Sequence, residues 1–325
     1  MARLPPPVAR LRVAVRDSLA DLPHDSLVLA ACSGGADSLA LADTLAFCAP
    51  RMGLRAGLVS VDHGLQDGSA ERAADVAGWA RGVGLEPAEA VSVDVGEAGG
   101  PEAAAREARY AALDAAADRH GAAAIVLGHT RDDQAETVLL ALTRGGGPRG
   151  IAGMRAVRGR YRRPLLDIAR ADTHAVCAER GLRAWADPHN ADPRYLRSAL
   201  RPALEVLVGT LGEDLVANLA RTAALVGADT DYLDGLGAAA LEECRSGDGV
   251  GLDAKRLAAL PGPVRQRALR KWVLESGVNG AELNHRHLDA VDALVAHWHG
   301  QGPTFLPGGL AVTRTAGRIA VSGQH

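Results

Sequence analysis

The sequence predicts an α/β fold, in which a doubly wound parallel sheet is followed by a second, mainly helical domain that ends in short strands. Three observations support this. Short apolar runs alternate with helical stretches between residues 27 and 187, which is typical of a parallel sheet wrapped by helices. After about Pro202 the alternation stops and helical periodicity continues alone. The tail then breaks into short apolar runs between glycine-containing turns. We therefore expect a first domain over residues 1–205 and a helical domain over residues 206–325.

Four strands are expected in the first domain, each a short apolar run bounded by turn residues. They span residues 27–31, 56–61, 90–93 and 123–127. Helices are expected near residues 36–48, 69–81, 102–120 and 134–143. Right-handed crossovers bring the carboxyl ends of parallel strands to one edge, so ligands are expected there. The glycine-rich stretch over residues 95–101 is expected to be the mobile loop of this domain.

The second domain is expected to contain helices followed by a small sheet. Helical periodicity runs through residues 211–241, 264–275 and 284–299. Short strands are expected over residues 303–306, 310–314 and 318–321, because the segments that separate them, 307–309 and 316–317, are rich in glycine and proline.

Composition excludes several classes of protein. No apolar run approaches the roughly 20 residues that a membrane-spanning helix needs, and the N-terminus lacks the apolar core of a secretory signal, so a cytoplasmic protein is expected. The four cysteines, Cys32, Cys48, Cys177 and Cys244, are too scattered for a zinc site or a redox pair. The net charge of −3 does not favour a nucleic-acid partner, so local basic patches must provide any such contact.

The strongest local signal lies between the first strand and the first helix of the sheet region. It comprises Ser33, Gly34, Gly35, Ala36, Asp37 and Ser38. Two glycines let the backbone turn tightly around a ligand, and the N-terminus of the following helix attracts an anion, so this segment suits a pyrophosphate. Asp37 would then serve as a Mg²⁺ ligand, because a bare carboxylate beside phosphates would repel them. The alternative is an ordinary capped turn between a strand and a helix.

This segment resembles the SGGxDS loop of the PP-loop ATP pyrophosphatases, which cleave ATP to AMP and pyrophosphate. Later segments narrow the resemblance to the tRNA(Ile)-lysidine synthetases, over at least residues 27–201. The second segment begins at Val61 and contains Asp62 and His63, at the carboxyl end of a strand, where a nucleotide would lie. A turn ended by Gly64 with an incidental histidine is the alternative.

Two arginines lie in a stretch similar to the family's ARxxRY helix. Arg106 and Arg109 are three residues apart, which places both on one helical face. The resemblance implies that one of them is catalytic, with Arg109 preferred. The alternative is a solvated helix face on which arginine and glutamate pair.

Gly128 and His129 open a stretch that resembles the family's GHxxDDxxET motif and follows the fourth strand. Asp133 and Glu136 are three residues apart, so the two carboxylates share a helical face and could hold a metal or orient an amine. An acidic first turn that complements the helix dipole is the alternative.

Further segments resemble the family at positions expected to contact tRNA. Arg144 precedes three glycines, as in the family's RGxG loop, and Arg163 begins an RPLL segment. Arg197 and Arg201 belong to a stretch similar to the family's DxxN and YxRNxxR segments, in which Ser198 stands where the family usually has asparagine.

Two basic clusters would add contacts to RNA phosphates, and the alternative for each is a solvated surface. The first comprises Arg155, Arg158, Arg160, Arg162 and Arg163, and the second comprises Arg265, Arg267, Arg270 and Lys271. Because only 3% of residues are aromatic, recognition by shape and backbone contacts is expected over stacking on many side chains.

The resemblance implies a PP-loop, Rossmann-like fold and an ATP-dependent ligase whose helical C-terminal domain binds tRNA. Its co-substrate would be ATP, with Mg²⁺ held by Asp37 and Asp133. Its partners would be an isoleucine tRNA with a CAU anticodon and free L-lysine, whose amine Glu136 would position or deprotonate. The open alternatives are a PP-loop tRNA thiolase, which the scattered cysteines disfavour, and a nucleotide- or RNA-binding protein without catalysis. Assembly as a homodimer is also left open.

Overall fold

The computed structural model describes residues 4–64, 66, 68–96, 100–185, 196–247, 251–280 and 282–323. The chain packs as two compact units, Met1–Leu225 and Val226–His325, and the division falls inside a long helix.

The first unit contains a six-stranded sheet in the order β3-β2-β1-β4-β6-β5. The strands are β1 (Leu27–Ala31), β2 (Arg55–Asp62), β3 (Ala88–Ser92), β4 (Ala122–Leu127), β5 (Val157–Arg158) and β6 (Tyr161–Arg162). All neighbouring strands are parallel except β5 and β6, which form an antiparallel edge hairpin. Because β1 and β4 are adjacent in the sheet although β2 and β3 separate them in sequence, the strand order reverses at β1, where α/β folds place their ligands.

Nine helices begin in the described part of the first unit. They are α1 (Pro6–Leu19), α2 (Ala36–Cys48), α3 (Ser69–Gly82), α4 (Pro101–His120), α5 (Arg131–Thr143), α6 (Gly147–Ile151), α7 (Arg170–Arg180), α8 (Leu196–Leu211) and α9 (Leu215–Cys244). A short 3-10 helix, Ala49–Met52, follows α2. Helix α1 was not predicted from the sequence, although its buried side chains, Val8, Leu11, Val15 and Leu19, have helical spacing.

Strand β1 is buried on both faces of the sheet. Val28 and Ala30 pack into one core together with side chains of α1, α2 and α7. Leu27 and Leu29 pack into a second core together with Leu113 of α4. Alternate side chains of a strand point to opposite faces, so helices cover both faces of the sheet.

The second unit contains the C-terminal part of α9 and the helices α10 (Ala254–Ala259), α11 (Gly262–Glu275) and α12 (His285–Ala296). Its strands are β7 (Leu252–Asp253), β8 (Thr304–Leu306), β9 (Leu310–Thr315) and β10 (Arg318–Gly323). They form an antiparallel sheet in the order β7-β10-β9-β8. The core of this unit includes Leu241, Trp272, Val291 and Ile319.

The predicted fold class is confirmed. The four predicted strands of the parallel sheet lie within two residues of their observed bounds, whereas the helix expected over 211–241 begins at Leu215, after α8 has ended at Leu211. No described helix is both long and apolar enough to cross a bilayer. The loop expected at residues 95–101 is described only in part, since residues 97–99 lie outside the described ranges.

Candidate active site at the carboxyl edge of the parallel sheet

The glycine-containing loop is fixed by hydrogen bonds of its own backbone and hydroxyl groups. The Ser33 amide donates to the Ser38 hydroxyl over 3.2 Å, and that hydroxyl donates to the Gly35 carbonyl over 3.0 Å. Gly34 has a φ of 83°, a left-handed conformation that favours glycine. Its carbonyl accepts a hydrogen bond of 2.9 Å from the Trp185 amide. The loop is therefore preshaped at the N-terminus of α2.

A second glycine brings the end of β4 against the same loop. A Cβ atom at Gly128 would lie 3.0 Å from the Ser38 backbone and 3.1 Å from that of Asp37. Only glycine fits such a close approach without displacing backbone. The predicted segments around Ser33 and Gly128 are thus in direct contact, although about 90 residues separate them in sequence.

A cleft of about 770 Å³ opens at the carboxyl ends of β1, β2 and β4. Loop residues Ser33, Gly35, Ala36, Asp37 and Ser38 form part of its wall. Its apolar wall includes Val59, Val61, Leu113 and Leu127. Its polar and aromatic lining includes His63, Arg109, His129, Arg170, His174, Trp185 and Arg201. A volume of this size falls within the range of sites that hold small molecules and cofactors.

One arginine connects the three predicted carboxylates. Arg170 Nη2 donates to Asp133 Oδ1 over 2.7 Å and to Glu136 Oε1 over 3.1 Å. Its Nε lies 3.8 Å from Asp37 Oδ2. Arg201 Nε adds a second donor to Glu136 Oε1, at 3.0 Å. The side chain of Glu136 is only 2% exposed, so two guanidinium groups fix its position.

Three tertiary contacts fix the start of α7, and with it Arg170, at this point. The Arg170 amide, at the N-terminus of α7, donates to Asp132 Oδ2 over 2.8 Å, so Asp132 caps a helix other than its own. The Arg131 amide donates to the Ile168 carbonyl over 2.9 Å. Thr173, one turn into α7, donates to Asp37 Oδ1. The starts of α5 and α7 are therefore tied together at the loop.

The pKa values of two carboxylates diverge. Burial raises the pKa of Asp37, and the neighbouring charge of Asp133 raises it further, against the Thr173 hydrogen bond. Burial also acts to raise the pKa of Asp133, but Arg170 and the hydrogen bonds of Thr130 outweigh burial, and the net pKa is lowered. Despite its own burial, Arg170 has a raised pKa because of the carboxylates around it. The cluster thus favours a further positive charge at Asp37.

Two histidines in the cleft wall have lowered pKa values. Burial lowers the pKa of His129 to about 3, with Arg109 acting in the same direction. Burial and Arg109 also lower the pKa of His63. Both Nδ1 atoms are buried without a hydrogen-bond partner. A buried polar atom of this kind calls for an explanation, and a bound ligand in the cleft would supply the missing partner.

The two predicted arginines of α4 have different surroundings. Arg109 lines the cleft, whereas Arg106 Nη2 donates to the Tyr110 hydroxyl over 3.4 Å. Arg163 Nη2 donates to the same hydroxyl over 3.3 Å. Burial acts to raise the pKa of Tyr110, but Arg106, Arg163 and Arg109 outweigh it and the pKa is lowered. Of the two, Arg109 has the better access to a ligand.

The remaining predicted residues are spread around this centre. Asp62 is 8% exposed and accepts a hydrogen bond of 2.9 Å from the Gly64 amide, so it shapes the turn that carries His63. Arg163 is 5% exposed and donates to the Arg155 carbonyl over 2.9 Å, a placement that favours a supporting role over contact with RNA. Arg144 is exposed at the end of α5.

Part of the stretch expected to contact tRNA lies outside the described residues. This part comprises residues 186–195, with the family's DxxN segment, and the side chain of Arg197.

Many of the clustered basic residues pair with carboxylates of the chain itself. Arg160 pairs with Asp118 at 2.7 Å, and Arg162 pairs with Asp21 at 2.7 Å. In the second cluster Arg265 pairs with Asp292, Arg267 with Asp234 and Lys271 with Glu275. These pairs reduce the positive charge that either cluster presents to an RNA backbone.

Comparison with known proteins supports both the loop and the C-terminal sheet. A family described as a PP-loop domain matches residues 9–207, and a family described as a TilS substrate binding domain matches residues 252–320. A tRNA(Ile)-lysidine synthase of Salinispora tropica is 58% identical over 98% of this chain and 97% of its own length. That of Thermobifida fusca is 54% identical over 99% of each chain. This chain belongs to the tRNA(Ile)-lysidine synthase family. The resemblance in the sequence motifs is thereby confirmed.

A solved structure of a U34-tRNA thiolase from Methanococcus maripaludis is also similar, with a TM-score of 0.52 and 18% identity. The similarity covers 67% of this chain and 80% of the thiolase. At that identity the likeness concerns the PP-loop fold alone, and it does not favour the alternative of a thiolase for this lysidine synthase family member.

The site residues that sequence reasoning missed include Arg170, Thr173 and Trp185, which all reach the site from the segment after the last parallel strand. Arg170 follows the RPLL segment at the start of a helix, which could have suggested a position at the sheet edge. No local pattern marks the other two.

Proposed function

We propose that the chain uses ATP to join L-lysine to the wobble cytidine of the isoleucine tRNA with a CAU anticodon. The products would be lysidine, AMP and pyrophosphate. The observation that carries this proposal is a cleft lined by the loop with Asp37, Arg109 and Arg170, in a chain that belongs to the lysidine synthase family over nearly its whole length. Asp133 and Glu136 do not line the cleft and are bonded to Arg170, which does. The reaction needs a phosphate site and a cation for the leaving group, and this cleft offers both.

In the proposed complex the ATP phosphates lie on the loop between Ser33 and Ser38. Backbone amides at the start of α2 would donate to phosphate oxygens, with the positive end of the helix behind them. Arg109 would stabilise charge on the phosphates, and Arg106 would support it through Tyr110. Gly34, Gly35, Ala36 and Gly128 give the backbone its close approach. Asp62, His63 and His129 would complete the nucleotide site.

Asp37 and Asp133 suit a Mg²⁺ ion. Both are carboxylates, the oxygen ligands that this ion prefers. Proximity of Asp133 raises the pKa of Asp37, so a dication beside them would relieve a repulsion. Among the described residues no group of three or more metal-ligating side chains exists, so the ion would need substrate phosphates as further ligands. Mg²⁺ bound there would neutralise charge on the phosphates.

In the first chemical step the O2 oxygen of cytosine attacks the α-phosphorus of ATP, a P–O bond forms, and pyrophosphate leaves with the electrons of the bond that breaks. In the second, the lysine side-chain amine attacks C2 of the adenylated ring. The C2–O2 bond then breaks, the oxygen leaves with AMP, and the amine loses a proton. Adenylation is needed because the unmodified carbonyl oxygen is a poor leaving group.

Glu136 is the proposed partner of the lysine amine. Arg170 and Arg201 already hold its carboxylate, so a positioning role agrees better with its surroundings than free motion to collect a proton.

Arg144, Arg163, Arg197 and Arg201 remain the proposed tRNA contacts, with Arg163 acting indirectly. The match to a substrate binding domain over residues 252–320 supports a further tRNA contact in the C-terminal unit. The proposed location is the cytoplasm, and sedimentation would decide between a monomer and a homodimer.

The test incubates the full chain with unmodified isoleucine tRNA, Mg²⁺, ATP and labelled lysine. Label should enter the tRNA in proportion to AMP and pyrophosphate, and a tRNA with a guanosine at the wobble position should remain unlabelled. ADP in place of AMP, or label that stays out of the tRNA, would reject the proposal. Mass spectrometry of the nucleoside would distinguish a lysine adduct from sulfur exchange by a thiolase.

A further inference from the structure

One aromatic ring in the cleft has no role in the proposed chemistry so far. Among the described residues that line the cleft, Trp185 alone carries an indole, phenol or phenyl ring. The chain has only four tryptophans, and aromatic residues make up 3% of it. The ring therefore cannot be attributed to a composition rich in aromatic side chains.

Contacts from two sides hold Trp185 beside the phosphate loop. Its amide donates to the Gly34 carbonyl over 2.9 Å. The guanidinium of Arg72, on α3, lies 4.2 Å from the centre of its ring, within the distance of a cation–π contact. Arg72 Nη2 in turn donates to Gln66 Oε1 over 3.2 Å. Trp185 lines the cleft and Arg72 does not.

Apolar side chains reach the cleft from two parts of the fold. Val59 and Val61 of β2, Leu113 of α4 and Leu127 of β4 form the sheet-side apolar surface. Trp185, which follows α7 and bonds the loop at Gly34, contributes an aromatic residue from elsewhere. The proposed reaction brings two nucleobases into one cleft, the adenine of ATP and the base that is modified.

We propose that Trp185, backed by Arg72, is the stacking platform for the tRNA base that is modified. This inference rests on the proposed function. Bases stack on aromatic side chains in a way that tolerates any base identity, so the platform holds the ring while other groups read its edge. The neighbouring loop then presents the α-phosphate to an oxygen on that edge. The sheet-side apolar surface is left to the adenine of ATP.

The test compares the full chain with the variants Trp185→Leu and Trp185→Phe. Phe47→Leu is the matched control, because the Phe47 ring also lies under arginines, with Arg12 and Arg51 at 3.3 and 3.7 Å, and does not line the cleft. Binding is measured to two full-length tRNAs with a CAU anticodon, assembled from synthetic halves. One carries cytidine at the wobble position and the other an abasic site. Binding of α,β-methylene ATP is measured separately.

Trp185→Leu should weaken binding of the cytidine tRNA by roughly 5- to 150-fold, the range found when a stacking aromatic side chain is removed. Trp185→Phe should recover most of this loss. The abasic tRNA should bind wild type and Trp185→Leu equally, since it has no base to stack. Binding of α,β-methylene ATP should stay unchanged in all variants. Phe47→Leu should behave as wild type throughout.

Two results would overturn the inference. An equal loss on the cytidine and abasic tRNAs would mean that Trp185 contacts something other than the base. A loss confined to α,β-methylene ATP would assign the platform to adenine. If Trp185→Leu melts at a lower temperature than wild type, the fluorescence of Trp185 in the wild-type chain replaces the binding comparison. The part of the emission that Trp185→Phe lacks should then be quenched by the cytidine tRNA and not by the abasic tRNA. Failure of wild type to release pyrophosphate would count against the proposed function, and the binding comparison would still judge the platform.

Discussion

Replacement of Arg170 by methionine removes the positive charge that three carboxylates share, while keeping a side chain of similar length. Its guanidinium bonds Asp133 at 2.7 Å and Glu136 at 3.1 Å, and lies 3.8 Å from Asp37. Loss of one partner from a buried ion pair costs about 3–5 kcal/mol. Arg201 still holds Glu136, and the Arg170 side chain is 23% exposed, so we expect the lower value, about 3 kcal/mol.

In a unit of 225 residues, a loss of this size corresponds to a fall in melting temperature of roughly 6–12 °C. The assay is thermal unfolding followed by circular dichroism at pH 7, with and without Mg²⁺. Magnesium should restore more stability to Arg170→Met than to wild type, because a dication replaces the lost positive charge. Arg180→Met is the matched control, since Arg180 lies on the same helix but is 47% exposed and pairs with one carboxylate, Asp43, and we expect a smaller loss there, about 1 kcal/mol.

The pH dependence of the unfolding free energy distinguishes the loss of the Arg170 charge from the loss of its packing. Arg170 is one of the contacts that lower the pKa of Asp133 in the folded state. The Asp133 carboxylate therefore stabilises the fold above its unfolded pKa of about 3.9. This stability is lost as the pH falls through the lower folded pKa. The difference between wild type and Arg170→Met should therefore be largest at neutral pH and should shrink below about pH 4. A difference that persists unchanged at acidic pH, or a variant that melts with wild type, would refute the electrostatic argument.

Further substitutions test the loop and its neighbours. Asp37→Ala should abolish formation of AMP and pyrophosphate. The melting temperature should change little, because burial already disfavours the charge of Asp37. Turnover of this variant in a coupled pyrophosphate assay would argue against the role of Asp37 at the metal. Burial lowers the pKa of His129 to about 3, so wild type should lose about 2 kcal/mol of unfolding free energy between pH 6.5 and pH 5. His129→Gln should lack this loss in urea titrations, and parallel curves would contradict it. Gly34→Ala should cost about 1–2 kcal/mol of unfolding free energy because Gly34 has a left-handed backbone. Gly35→Ala, at a φ of −71°, should cost little stability, and equal losses of stability would count against the loop geometry.

The local elements of the nucleotide edge could be predicted because their signals are short in sequence. An apolar run followed by glycine and a helical stretch identified β1 and α2, whose observed bounds, Leu27–Ala31 and Ala36–Cys48, match the prediction. Helix α1 was missed because it begins with two prolines, which helices accept only in their first turn, even though its buried positions are spaced as in a helix.

Charge is harder to assign, because a residue's neighbours in sequence are not its neighbours in space. Arg160 and Arg162 lie in a stretch without acids, and this suggested an RNA-binding patch. In the fold they pair with Asp118 and Asp21, which are 42 and 141 residues away. Counting charges along the chain cannot detect such pairs.

By itself the sequence determined the α/β fold, the phosphate loop and the family, because each depends on side-chain periodicity and on motifs only a few residues long. The tertiary structure alone decided which groups meet in the cleft. It brought Arg170 to Asp133 and Glu136, and Trp185 to Gly34, across separations of 34 to 151 residues. These contacts depend on how helices cross the sheet and meet at its carboxyl edge, and no local pattern of residues encodes that geometry.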